Sequence, residues 1–135
     1  MTASLRSRVR QRANDRCEYC QMPGVLDTLE FHWDHIIAQK HRGLTEFSNL
    51  AWSCFACNNQ KQSDISGIDP EGKSHNIVRL FHPREDIWKE HFEWNGATLE
   101  GKTAIGRVTI YVLGINRPHR IALRQLLIAE GVFPA

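Results

Sequence analysis

WDHII at residues 33–37, SNL at 48–50 and CFACNNQK at 54–61 decide how this chain is read. Outward from them, upstream, lies a second Cys-x-x-Cys pair, Cys17-Glu18-Tyr19-Cys20. Zinc favours four tetrahedral nitrogen or sulfur ligands, and each Cys-x-x-Cys supplies two from one tight turn. Residues 21–53 separate the pairs, more than an ordinary zinc ribbon needs, so a folded unit must stand between them. Redox motifs of the thioredoxin type come singly in a βαβ pattern that is absent here. Cys17, Cys20, Cys54 and Cys57 are therefore expected to close a structural Zn2+ site.

The enclosed residues suggest a second, open site. A hard ion such as Mg2+ or Mn2+ takes oxygen ligands and keeps several waters, so the protein need supply only one or two groups. Asp34 offers a carboxylate and Asn58 an amide oxygen. His35 carries an imidazole, the side chain most often used to take a proton from water. Phosphodiester hydrolysis asks for that pairing of base and cation. Neighbours in a strand point to opposite faces, so a bend after Asp34 is expected to turn both side chains into one cleft.

Together these motifs, over residues 13–64, resemble the HNH endonucleases. The resemblance implies a ββα-metal (His-Me finger) core, with His35 as general base and Asp34 and Asn58 as ligands of the catalytic ion. It implies Asn49 as the middle asparagine, pinning the hairpin loop and helping to orient the histidine. Lys61, one helical turn after Asn58, matches a lysine that often follows in the family and is expected to reach a phosphate. Asparagine rather than histidine at position 58 favours Mg2+ or Mn2+. Two departures stand out: Ala38 replaces a common proline, and Arg42-Gly43 replaces a frequent Gly-Gly, putting positive charge beside the substrate cleft.

At 135 residues the chain suits one domain, expected as a core at 13–64 and an extension at about 76–135. The fold class expected is α+β: the small core stapled by the four-cysteine zinc site, with a helix and hairpin extension. Ser4 is expected to cap a helix over 5–14 with Leu5, Val9 and Ala13 as its apolar stripe. Residues 29–38 read as a hairpin or bent strand pair, 55–63 as a short helix, and 64–76, with Gly67, Pro70, Gly72 and Ser74, as linker-like. A helix is expected over 84–91, then a hairpin turning at Asn95-Gly96. Residues 103–113 fit a strand by propensity and a capped helix by pattern. A final helix over 118–130 starts at Pro118, with Leu123, Leu126 and Leu127 on its apolar side, and Gly131 stops it.

Net charge is only +2, but Arg6, Arg8, Arg10, Arg12 and Arg16 face Asp15 alone across residues 6–16. That concentration reads either as a solvated helix face or as phosphate contact. Arg84 and Arg117 to Arg124 form a weaker basic set. Trp33, Trp52, Trp88 and Trp94 read as core, and the histidines other than His35 as structural or exposed. The partner expected is DNA, duplex in form; the chain is read as a monomer or homodimer with no membrane association. The N-terminus lacks the apolar stretch of a secretory signal, so a reduced, cytoplasmic setting is expected. The rival classes are a zinc-knuckle nucleic-acid-binding module without turnover, and a ribonuclease.

Overall fold

Thr2 sets the start of the first element. Its hydroxyl accepts from Leu5 N at 3.1 Å, and helix α1 runs Ala3–Arg12. It begins two residues before the Ser4-capped helix expected, because extended Thr2 reaches the third free amide first. The computed structural model describes residues 1–72 and 75–134. In it Val9 is fully buried, with Leu5 and Ala13 packed around it, so the expected stripe faces the core. The chain then folds back over the first cysteine pair, Cys17 N donating to Met22 O at 2.9 Å and Gln21 N to Cys17 O at 2.9 Å.

Strand β1 (His32–His35) pairs antiparallel with β2 (Leu50–Ser53), with Trp33 opposite Trp52 and Asp34 opposite Ala51. The hairpin expected within 29–38 is thus a single strand whose partner lies beyond a long loop. Leu50 to Ser53 is buried along its whole length and provides the apolar surface that β1 needs. The bend expected after Asp34 is also displaced: His35 stays in register opposite Leu50, and the chain bends at Ile36 and Ile37. Helix α2 (Phe55–Lys61) follows at once, capped by Cys54 Sγ accepting from Cys57 N at 3.4 Å.

The linker-like stretch at 64–76 instead contains strand β3 (Ser66–Ile68), paired with β4 (Ile77–Arg79); Ser74 lies outside the described residues. The helix expected over 84–91 shrinks to α3 (Trp88–His91). Asp86 explains the loss: its carboxylate takes both Arg79 guanidinium bonds and the His82 amide, which fixes residues 82–86 as a turn. Strands β5 (Phe92–Asn95) and β6 (Thr98–Gly101) form the expected hairpin, but the loop residues are Gly96-Ala97, one position later. Gly96 takes φ +60° as the first loop residue, as in a type II′ turn.

Residues 103–113 are helical: α4 (Ala104–Val112) is capped by Thr103, whose hydroxyl accepts from Gly106 N at 3.1 Å. Helix α5 (Pro118–Ala129) begins at its proline, and Gly131 follows with φ +76°. Its buried face holds Arg120, Arg124 and Leu127, while Leu123 and Leu126 are exposed, against the apolar side expected.

The result is a mixed α/β fold with short hairpins; among the described residues every sheet has two strands. One buried cluster runs from Val9, Cys17 and Trp52 through Phe92, Leu99 and Val108 to Leu127 and Phe133. Trp88 Nε1 donates to Tyr19 O at 2.9 Å, tying α3 to the first cysteine turn.

Candidate metal sites and catalytic cleft

The four cysteine sulfurs are buried and lie within 4.8 Å of one another. Cys20 and Cys54 bring their sulfurs to 3.7 Å. Tetrahedral zinc–sulfur bonds of about 2.3 Å would set sulfurs roughly 3.8 Å apart, so the cluster fits a metal such as zinc. Cys20 N donates to Cys17 Sγ at 3.4 Å, a bond repeated in the second pair. From α5, Arg120 donates to Cys57 Sγ at 3.0 Å and, through its other terminal nitrogen, to Leu113 O at 2.7 Å. Burial alone would lower the Arg120 pKa, but negative charge on Cys57, Cys20 and Cys54 outweighs it and raises the pKa.

Next to this cluster, Asp34, His35 and Asn58 line one open cavity of about 460 Å3, together with Trp33, Gln39 and Lys40. One carboxylate and one amide oxygen, with room for waters and a phosphate, fit a hard divalent ion. Asp34 is only 4 % exposed. Its Oδ2 accepts from the Tyr19 hydroxyl at 2.7 Å, and Lys61 Nζ lies 3.3 Å from Oδ1 and 3.2 Å from Oδ2. Burial pushes the Asp34 carboxyl above its ordinary range, against the opposing pull of Lys61 and Tyr19. The His35 ring meets Thr45 Oγ1 through Nε2 at 2.8 Å. Asn49 holds the loop between β1 and β2: Oδ1 accepts from Ile37 N, and Nδ2 donates to Ile37 O and Leu44 O, each at 2.9 Å.

Residues 17–64 match the HNH endonuclease family. Among curated proteins the chain is 26% identical to Septu protein PtuA of Bacillus mycoides (strain KBAB4), over 87% of this chain and 20% of the relative. It is 24% identical to Septu protein PtuB of Bacillus thuringiensis, over 86% of this chain and 42% of the relative. The chain therefore spans about a fifth of one relative and about two fifths of the other. No solved structure matches. No helix among the described residues is long and apolar enough to cross a membrane.

Within the HNH segment, Lys61 differs from its expected place. It is 1 % exposed and turned onto Asp34, so it does not present its ammonium to a phosphate. Arg42 is exposed and adopts φ +73°, the left-handed conformation that a glycine would take without strain. Gly43 beside it is indispensable, since a Cβ there would lie 1.7 Å from Ile37 O. The arginines of α1 lie over aromatic rings: Arg12 and Arg8 over Phe47, Arg6 over Trp33, Arg10 over Trp52. Arg12 also donates to Phe47 O and Leu50 O, bracing the start of β2. Of the weaker basic set, Arg84 pairs with Glu18, and Arg120 and Arg124 are buried.

Sequence reasoning missed Tyr19, Thr45 and Arg120. The tyrosine between Cys17 and Cys20 was visible as an aromatic inside a tight turn, where its ring must enter the fold. The Arg120, Arg124 and Leu127 stripe carries the helical period, but apolar periodicity passes over arginines.

Proposed function

We propose that the chain is a metal-dependent endonuclease that hydrolyses DNA phosphodiester bonds and nicks one strand at each site. What supports this most is the convergence of Asp34, His35 and Asn58 on one cavity beside the four-cysteine cluster. The cysteines would hold structural zinc in a closed site, clamping the first turn against α2. Asp34 and Asn58 would hold one Mg2+ or Mn2+, which when bound stabilises charge on the phosphorus oxygens and the departing 3′-oxygen. The hairpin and α2 then serve as a ββα-metal core.

His35 acts as the base. Thr45 Oγ1 lies against Nε2 and also accepts from Gln39 Nε2 at 3.3 Å. With Nε2–H donated to Thr45, the lone pair stays on Nδ1 and takes the proton from the attacking water. Asn49 fixes the loop that carries Ile37 and so the strand end from which His35 projects. Exposed Arg42 is offered to the phosphate backbone. The products carry 5′-phosphate and 3′-hydroxyl ends, and cutting both strands takes a homodimer or two visits.

Nicking of supercoiled plasmid with Mg2+ or Mn2+, with excess chelator and with His35→Ala, tests the reading. Nicking should need the divalent ion and fall about 10²-fold or more in the variant. A His35→Ala protein that nicks at the parent rate overturns the assignment. A labelled RNA hairpin in the same assay separates a ribonuclease from a deoxyribonuclease.

A further inference from the structure

Lys61 and Asp34 are opposite charges buried against each other behind the wall of the cleft. Lys61 Nζ also donates to His35 O at 3.0 Å, and Lys61 is not among the residues lining the cavity. Two donors, Lys61 and Tyr19, therefore hold a carboxylate that lines the cavity while only 4 % of the residue is exposed. Asn58 and Lys61 are one turn apart on α2, so one short helix carries both a cleft-lining amide and the counter-charge. Of the residues lining the cavity, Asp34 alone is acidic and Lys40 is basic; the rest carry no carboxylate. An entering divalent ion thus meets one carboxylate already neutralised by Lys61, with a second lysine at the rim.

We propose that Lys61 is a positioning residue that sets the cleft's affinity for its divalent ion. It holds the Asp34 carboxylate in place and cancels its charge, so the ion binds weakly until a nucleic-acid phosphate supplies the missing negative charge. Ion and substrate then load together. This inference rests on Asp34 being an ion ligand, as in the function proposed above.

Mn2+ binding, followed by the loss of its free-ion spin-resonance signal, tests it without reference to turnover. In the zinc-loaded His35→Ala background, which blocks cleavage, a short duplex should tighten Mn2+ binding at least tenfold. Lys61→Gln, which keeps a donor for Asp34 but removes the charge, should tighten Mn2+ binding without duplex at least tenfold. The further gain from duplex should then shrink. Unchanged or weaker Mn2+ binding in a folded Lys61→Gln protein overturns the proposal, as does a duplex that leaves parental affinity unchanged. Should Lys61→Gln fail to fold, Lys61→Met carries the same comparison, and Mn2+ binding no tighter than the parent's in that variant overturns the proposal. Asp34→Asn separates the two readings. If it leaves Mn2+ binding intact, the ligand assignment fails; if it abolishes binding while Lys61→Gln has no effect, only the role of Lys61 fails.

Discussion

Asn49 spends its whole side chain on backbone: one acceptor for Ile37 N and two donors for Ile37 O and Leu44 O. Asn49→Asp keeps the acceptor and sets a carboxylate against two carbonyl oxygens. Urea unfolding should show a loss of about 1–3 kcal/mol, because buried carbonyls lose their donors. Plasmid nicking should fall with it, since the loop that Asn49 holds runs on from His35. At this scale the sequence was informative about residue types and silent about direction. Asp34, His35 and Asn58 stood out because few chemistries need a carboxylate, an imidazole and an amide so close to paired cysteines, and the three line one cavity. The inward turn of Lys61 was not. A four-carbon stem reaches either way, and the groups that draw it in, the Asp34 carboxylate and the His35 carbonyl, meet it only once β1 and α2 have packed.

Among the elements, α4 shows tertiary context overriding local preference. Val108-Thr109-Ile110-Tyr111-Val112 favours strand, yet the Thr103 cap and the close fit of Gly106 against the β5–β6 hairpin make it helix; a Cβ on Gly106 would lie 2.1 Å from His91 O. The turn before α3 depends on charge. The Asp86 carboxyl is held below its ordinary range chiefly by Arg79, with the His82 amide helping and burial opposing. A depressed folded-state pKa stabilises above the unfolded value of about 3.9 and loses that effect as pH falls through the folded value. The stability gap between parent and Asp86→Asn, measured by urea melts, should therefore be open at pH 7 and close below about pH 4. Helix α5 adds a cation to the cysteine cluster that no motif announced. Arg120→Met should release zinc to a chromogenic chelator several-fold faster than the parent, with Arg120→Lys between them. Equal release rates for all three would deny Arg120 any hold on the cluster.

Across the whole molecule, the core and the four-cysteine cluster are one body of packing. Cys17, Cys20, Cys54 and Cys57 sit in the same buried cluster as Phe92, Leu113 and Leu127. Removing zinc with a strong chelator, or replacing Cys54 by Ser, should lower the melting temperature of the entire chain in one transition rather than melting residues 17–64 alone. Circular dichroism together with the fluorescence of Trp33, Trp52, Trp88 and Trp94 reads both halves at once. This unity was the least legible property of the sequence: the cysteine spacing announced a staple, while the extension showed elements and core tryptophans without the buried arginines that dock them. The contact between Arg120 and Cys57 also bears on oxidative damage. Peroxides attack exposed thiolates with a free lone pair, and Cys57 is fully buried with a guanidinium on its sulfur. Peroxide should therefore oxidise Cys57 faster once α5 is loosened, as in Arg120→Met, and loss of free-thiol titre with time reads whether this last described helix shields a cysteine of the first half.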